Sequence, residues 1–140
     1  MAIRAVIFDL GGVIVRTENQ DGRRKLETQF GLPPGGIARA VFACEASARA
    51  SIGLADDADV WQSVATRFGL NASQLREFQH DFWSGDSVDA TLVQFIRDLR
   101  PRFKTAILSN AWPQARKIFT NKFGLGDSVD AMIISAEERR

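Results

Sequence analysis

The stretch that decides the fold is VIFDLGGVIV, residues 6–15. It begins inside a run, Ile3 to Phe8, that is nearly all apolar and rich in β-branched side chains. Such a run without alternation is typical of a strand covered on both faces, as in a parallel sheet. The run stops at one carboxylate, Asp9, and a glycine pair, Gly11-Gly12, follows two residues later. A buried strand that ends on an acid beside a flexible turn predicts a ligand site at that strand end.

The composition is that of a globular protein of one ordinary domain. The chain has 140 residues, of which 45% are hydrophobic and 25% charged, and its net charge is +1. So small a net charge creates no field that would indicate a nucleic acid or an anionic membrane as partner. The single cysteine excludes an internal disulfide, and no apolar run near the start is long enough for a signal peptide or a membrane span. We therefore expect a cytoplasmic protein with no nucleic-acid or membrane partner.

A helical block follows the first strand. Between residues 20 and 84, apolar residues recur at spacings of three and four, which predicts four helices and no strand. One of these helices is expected to carry Ile37, Val41, Cys44 and Ala48 on a single stripe and to end near Gly53.

The pattern changes after Gly85. A helix, a strand near residues 104–108, a second helix and a strand near 130–134 follow in order. Together with the first strand this is the pattern of a parallel α/β sheet. We therefore predict a Rossmann-like core made of residues 1–16 and 86–140, with an inserted all-helical cap, residues 17–85.

Polar residues stand at the carboxyl ends of all three predicted strands: Asp9, Ser109 and Ser135. Ligands of open parallel sheets bind beyond these ends. A carboxylate there can hold Mg²⁺ or attack phosphorus, and Ser109 with the following N–H groups can cradle a phosphate where the next helix begins. The alternative is a solvated aspartate and a helix-capping serine. Two polar strand ends on one edge, next to a glycine pair, favour the site.

Two motifs with the helical block between them resemble the haloacid dehalogenase-like (HAD) hydrolase superfamily. VIFDLGGVIV resembles the first family motif in its DLGGV form, and AILSNA, residues 106–111, resembles the second. VDAMIISAEE, residues 129–138, resembles the segment around the third strand of a larger family sheet. The resemblance implies a Mg²⁺-dependent phosphatase of a small phosphorylated metabolite, acting through an aspartyl-phosphate at Asp9. It further implies Asp9 and the Gly11 backbone carbonyl as Mg²⁺ ligands, and Ser109 and Asn110 as the residues that bind the phosphoryl group.

The sequence departs from the family pattern in two places. Gly11 stands where typical phosphatases of the family carry a second aspartate, the general acid and base, although the DLGGV form resembles a subgroup near sugar-phosphate phosphatases. The family also continues to a lysine and a strand with paired acids, and this sequence has no lysine after Lys122. We therefore expect an incomplete core with impaired activity. We also expect a free edge on the first strand, through which the chain could self-associate.

Two other functions stay open. In a 2-haloacid dehalogenase, the same aspartate would attack carbon and no metal would be needed. That branch normally carries a bulky aromatic residue near the Gly11 position. A truncated, non-catalytic relative would only bind a partner. Among the other residues, we expect His80 on the cap surface rather than as an acid for the leaving group. Trp61 and Trp83 are expected to pack inside the cap, and Trp112 is a candidate for the mouth of the pocket.

Overall fold

A computed structural model describes residues 2–139. The strands are β1 (Ala5–Phe8), β2 (Val15–Thr17), β3 (Asp86–Val88), β4 (Lys104–Ser109) and β5 (Ala131–Ile134). The helices are α1 (Asp21–Gln29), α2 (Gly36–Phe42), α3 (Glu45–Ser51), α4 (Asp57–Phe68), α5 (Ala72–Trp83), α6 (Ala90–Leu99), α7 (Ala115–Asn121) and α8 (Ser135–Glu138). None of the helices in this range combines the length and the apolar character that a membrane span needs.

The central sheet is parallel, in the order β1-β4-β5. Phe8 pairs with Ile107 and Leu108 pairs with Ile133, so the three strands end at one edge. A parallel α/β fold with a Rossmann-like sheet, as predicted from the strand pattern, is therefore confirmed. A second sheet is an antiparallel ribbon of β2 and β3, in which Val15 pairs with Val88. The predicted boundaries of core and cap fall inside this ribbon and directly before β3.

The two faces of the central sheet differ in burial. Thr105, Ile107 and Ile134 point to one face and are at most 1% exposed, and Ile107 packs in one cluster with Val93 and Ile96 of α6. The residues between them point to the other face because side chains alternate along a strand. There Ile7, Leu108 and Ile133 are 61%, 51% and 38% exposed. We call these three residues the open face.

The helical block, α1 to α5, has an apolar core of its own. Its buried side chains come from all five helices and from one residue outside them, Trp112: they are Leu26, Ile37, Val41, Ala50, Val60, Trp61, Val64, Phe78, Phe82 and Trp112. The helix ends follow the sequence signals. Capping boxes at Asp56 and Asn71 satisfy free N–H groups at the starts of α4 and α5, and Gly69 ends α4 with φ of 64°.

The prediction of one helix from Ile37 to about Gly53 is wrong. The chain leaves the helical conformation at Cys44, whose φ and ψ are −83° and 159°. Its Sγ accepts the Ser47 N–H at 3.4 Å, so Cys44 caps α3. The apolar stripe is the same for one continuous helix and for two short ones that bury a common side, and periodicity alone does not show the break.

Candidate active site

Asp9 is the first residue after β1 and its side chain is exposed. Its Oδ1 accepts the N–H of Leu10 at 2.7 Å, which fixes the direction of the carboxylate. The register of β1 and β4 places Asp9 at the edge where β4 ends with Ser109. Ser109 is only 5% exposed and follows Ile107 on the buried face. The structure thus brings the strand ends of these two predicted site residues side by side.

The turn after Asp9 explains one of the two glycines. The Leu10 carbonyl accepts the N–H groups of Val13, Ile14 and Val15 at 3.2, 2.9 and 3.0 Å, which folds the chain into a tight loop. Gly12 has φ of 78°, a left-handed conformation that favours glycine. Gly11 has no such constraint, and a Cβ there would meet nothing within 4 Å. Space beside Gly11 is therefore open, and no N–H of the described loops donates to its carbonyl.

The loop after β4 is organised by Ser135, the polar residue at the end of β5. The Ser135 hydroxyl donates to Asn110 Oδ1 at 2.8 Å, and the Ala111 N–H donates to Ser135 Oγ at 3.1 Å. With its oxygen engaged, the Asn110 side chain keeps its amide NH₂ for another acceptor. Ser135, the third polar strand-end residue named in the sequence analysis, is thus hydrogen-bonded directly to residues of the second motif.

Two contacts across this loop were not foreseen from the sequence. Trp112 is 8% exposed and is buried in the helical block rather than at a pocket mouth; its indole N–H donates to Ser47 Oγ at 3.0 Å. The Gln114 N–H donates to Asp57 Oδ1 at 3.0 Å. Burial raises the pKa of the Asp57 carboxyl, and the bond from Gln114 acts in the opposite direction. A contact between residues so distant in sequence leaves no local pattern that could have revealed it.

The other side chains weighed from the sequence belong to the helical block. His80 is 81% exposed on α5, with Nδ1 3.5 Å from Asp81 Oδ1. Trp61 and Trp83 pack together in the helical block, with ring centroids 6.1 Å apart. Asp56 caps α4, because its Oδ1 accepts the Asp59 N–H at 2.9 Å.

The oxygen donors at the end of β1 are the Asp9 carboxylate and the Gly11 carbonyl. Within residues 2–139, no three His, Cys, Asp or Glu side chains lie close enough together to hold a metal ion. Mg²⁺ takes few protein ligands and usually fills its octahedral shell with water and substrate phosphate oxygens. An exposed carboxylate near a carbonyl without a donor fits such an ion, provided that water and substrate complete the shell.

Solved structures share this fold. A HAD-family enzyme of Bacteroides thetaiotaomicron, in complex with magnesium and inorganic phosphate, is 17% identical with a TM-score of 0.73, over 99% of this chain and 71% of its own. A HAD-like family hydrolase of Porphyromonas gingivalis is 19% identical with a TM-score of 0.67, over 99% and 69%. L-2-haloacid dehalogenase of Xanthobacter autotrophicus is 25% identical with a TM-score of 0.61, over 99% and 59%. No protein-family model and no curated protein sequence matches the chain. The chain therefore has the HAD-like fold, and the recognition based on its two motifs is confirmed.

Proposed function

We propose that this HAD-like chain carries the nucleophile and the phosphoryl-binding loop of a phosphatase that acts on small phosphorylated metabolites. The observation that carries the proposal is the exposed Asp9 carboxylate at the sheet edge where Ser109 ends the neighbouring strand and Asn110 follows it. The Leu10 N–H orients this carboxylate, and substrate can reach it from solvent. A structural relative solved with magnesium and inorganic phosphate supports the same chemistry.

In the proposed reaction, one oxygen of Asp9 attacks phosphorus to form an acyl phosphate. The ester bond breaks, and the leaving oxygen keeps the bonding electrons and takes a proton from water. A second water then adds at phosphorus, the bond to Asp9 breaks, and inorganic phosphate leaves. Ser109 and Asn110 donate hydrogen bonds to the phosphoryl oxygens as charge develops on them. Asn110 suits this role because its own oxygen is held by Ser135.

Asp9 and the Gly11 carbonyl would hold Mg²⁺ in this scheme. The ion supplies charge neutralisation on the transferring group when it is bound. With one carboxylate at the site, we expect weak binding of the ion, which substrate strengthens by adding its own oxygens.

Gly11 offers a way to test the acid–base side of the proposal by gain of function. A side chain has room there, and the backbone does not require glycine. Gly11→Asp would add a carboxyl two residues after the nucleophile, and general acid–base catalysis contributes about 10²- to 10⁴-fold when well placed. We expect faster phosphate release from Gly11→Asp and no gain from Gly11→Asn, which has the same size without the acid.

A dehalogenase is the second candidate, favoured by the similarity to L-2-haloacid dehalogenase at 25% identity. In that reaction an Asp9 oxygen would attack the carbon that bears the halogen, and halide would leave with the bonding electrons. No metal is needed to assist a halide leaving group. The same nucleophile thus serves both candidates, and the leaving group distinguishes them.

The experiment measures phosphate release from sugar phosphates and an aryl phosphate, and halide release from 2-chloropropionate, with enzyme and substrate at equal concentration. We expect slow phosphate release that needs Mg²⁺, stops with EDTA and is abolished by Asp9→Asn. Asp21→Asn, an exposed aspartate on α1, is the matched control and should leave the rate unchanged. Halide release that depends on Asp9 would contradict the phosphatase proposal and support the dehalogenase. Release of neither product would make the chain a non-catalytic relative.

A further inference from the structure

Trp112 belongs to the loop of the second motif but packs inside the helical block. It lies three residues after Ser109, between β4 and α7. Its ring centroid is 5.6 Å from that of Phe42 and 5.9 Å from that of Trp61, which lie on α2 and α4. A side chain from the sheet region thus fills part of the core of the helices.

The indole of Trp112 also has a specific polar partner in that core. Its N–H donates to Ser47 Oγ at 3.0 Å, and the two residues are 8% and 3% exposed. A buried donor that loses its acceptor has no water to replace it, so this bond fixes the ring relative to α3. Packing alone would hold the ring in place but would not set its rotation.

The same loop is held from the opposite side by Ser135. Asn110 Oδ1 and the Ala111 N–H both bond to Ser135 Oγ, at 2.8 and 3.1 Å. Ala111, which is bonded to Ser135, and Trp112, which is bonded to Ser47, are consecutive residues, so no residue separates the two hydrogen-bonded positions.

A second contact strengthens this connection. The Gln114 N–H donates to Asp57 Oδ1 at the start of α4, at 3.0 Å. Beside it, Gly53 approaches the Ala136 carbonyl so closely that a Cβ on Gly53 would collide with it. The helical block is thus joined to the strand-end loops at several points and not only through the β2–β3 ribbon.

We propose that Trp112 is a positioning residue that couples the helical block to the phosphoryl-binding loop through its bond to Ser47. The bond keeps Ala111 in place for Ser135, and Ser135 in turn orients the Asn110 amide toward the phosphoryl group. The expected effect on phosphate affinity rests on the proposed function of Ser109 and Asn110. The coupling between the helical block and the loop does not depend on that function.

The test removes the acceptor of this bond in Ser47→Ala. Ser51→Ala is the matched control, because Ser51 lies on the same helix and its hydroxyl donates to the Ser47 carbonyl at 3.0 Å, whereas the Trp112 N–H donates to the Ser47 hydroxyl. Trp112→Phe removes the donor and keeps an aromatic ring. Amide hydrogen exchange is measured for the whole chain, and inorganic phosphate binding by chemical-shift titration in the presence of Mg²⁺.

We expect faster exchange at Ala111 and at the Trp112 indole in Ser47→Ala, with Ser51→Ala unchanged. Phosphate affinity should fall about five- to tenfold in Ser47→Ala and in Trp112→Phe. The double variant should be no weaker than either single one, since both remove the same interaction. Faster exchange spread evenly over α1 to α5, or no change at Ala111, would overturn the coupling. Absence of phosphate binding by the unaltered chain would contradict the proposed function, and the exchange pattern would still decide the coupling.

Discussion

The helical block and the central sheet differ in how completely they bury their apolar side chains. In the block, the buried cluster described above is at most 8% exposed, and Phe82 and Val60 within it are 0% exposed. In the sheet, one face is equally well buried, with Ile107 at 0%, while Leu108 beside it in sequence is 51% exposed. The helical block closes its core with five helices and the ring of Trp112, and the sheet leaves an apolar face open.

The region expected to contribute most to stability is therefore not the region that carries the candidate site. Burial of a large apolar side chain contributes about 1.5–3 kcal/mol, so the block gains most from its ring cluster. The strand ends with Asp9 and Ser109 lie on the sheet, where the same kind of burial is available on one side only. We therefore expect stability to respond to changes in the block far more than to changes on the open face.

The largest effect is expected for Phe82→Ala. This ring lies 5.9 Å from Trp61 and 6.3 Å from Phe78 between centroids, and the Arg23 guanidinium stands 4.4 Å above it. Removing such a ring costs about 3–5 kcal/mol, because a cavity replaces the lost contacts. The free energy of unfolding from urea titration measures the loss. Leu108→Ala on the open face is the control, with an expected change within about 0.5 kcal/mol. Equal losses in the two variants would contradict the comparison.

The next effect concerns association of the chain with itself. Exposed apolar patches and free strand edges favour pairing with another copy. Among residues 2–139, β1 pairs with β4 and with no other strand. We propose that the open face and this edge make the apparent mass rise with concentration in analytical ultracentrifugation. Leu108→Lys should weaken the association about tenfold or more, as expected for one apolar side chain excluded from an interface. Lys122→Leu is the control, because it leaves the open face intact, and it should not weaken the association. An apparent mass of the unaltered chain that does not change with concentration would contradict the proposal.

The sequence predicted the elements whose signals are local. The β-branched run before Asp9 and the strands predicted near residues 104–108 and 130–134 each correspond to an observed strand. The β2–β3 ribbon was missed because each strand has three residues and the two strands are about 70 positions apart. Trp112 was misjudged for a similar reason: its place in the motif pointed to the site, and its partner Ser47 lies 65 positions earlier.

A smaller effect is expected from pH at the junction of block and sheet. Burial raises the pKa of the Asp57 carboxyl above its unfolded value, so the folded state favours the protonated form. The resulting stabilisation is present below the unfolded pKa and is lost as pH rises through the raised one. Asp57→Asn still accepts from Gln114 and cannot ionise. Its stability relative to the unaltered chain should therefore increase over this acidic window and then stay constant, as measured by thermal melts. A relative stability that decreases with rising pH would contradict this assignment.

The smallest effect is expected for His80→Ala. The ring is 81% exposed, and its Nδ1 lies 3.5 Å from the neighbouring Asp81 carboxylate. Exposed side chains without buried partners usually change stability by no more than about 0.5 kcal/mol. Phosphate release should also stay unchanged, because α5 holds this ring away from the strand ends. A large loss of phosphate-release rate in His80→Ala without a loss of stability would contradict this expectation and indicate that His80 is the acid for the leaving group.

The central claim is that Asp9 accepts the phosphoryl group, and the most direct measurement locates that group on the chain. After reaction with an aryl phosphate or acetyl phosphate and reductive trapping, mass spectrometry of the tryptic peptides reports the modified residue. Cleavage after Arg4 and Arg16 isolates Asp9 as the only acid of the peptide 5–16. We predict that trapping modifies Asp9 and that Asp9→Asn abolishes the modification. A trapped residue in another peptide would contradict the claim. So would the absence of a phosphoryl product together with a propionate ester on Asp9 after reaction with 2-chloropropionate, formed at the carbon from which chloride left.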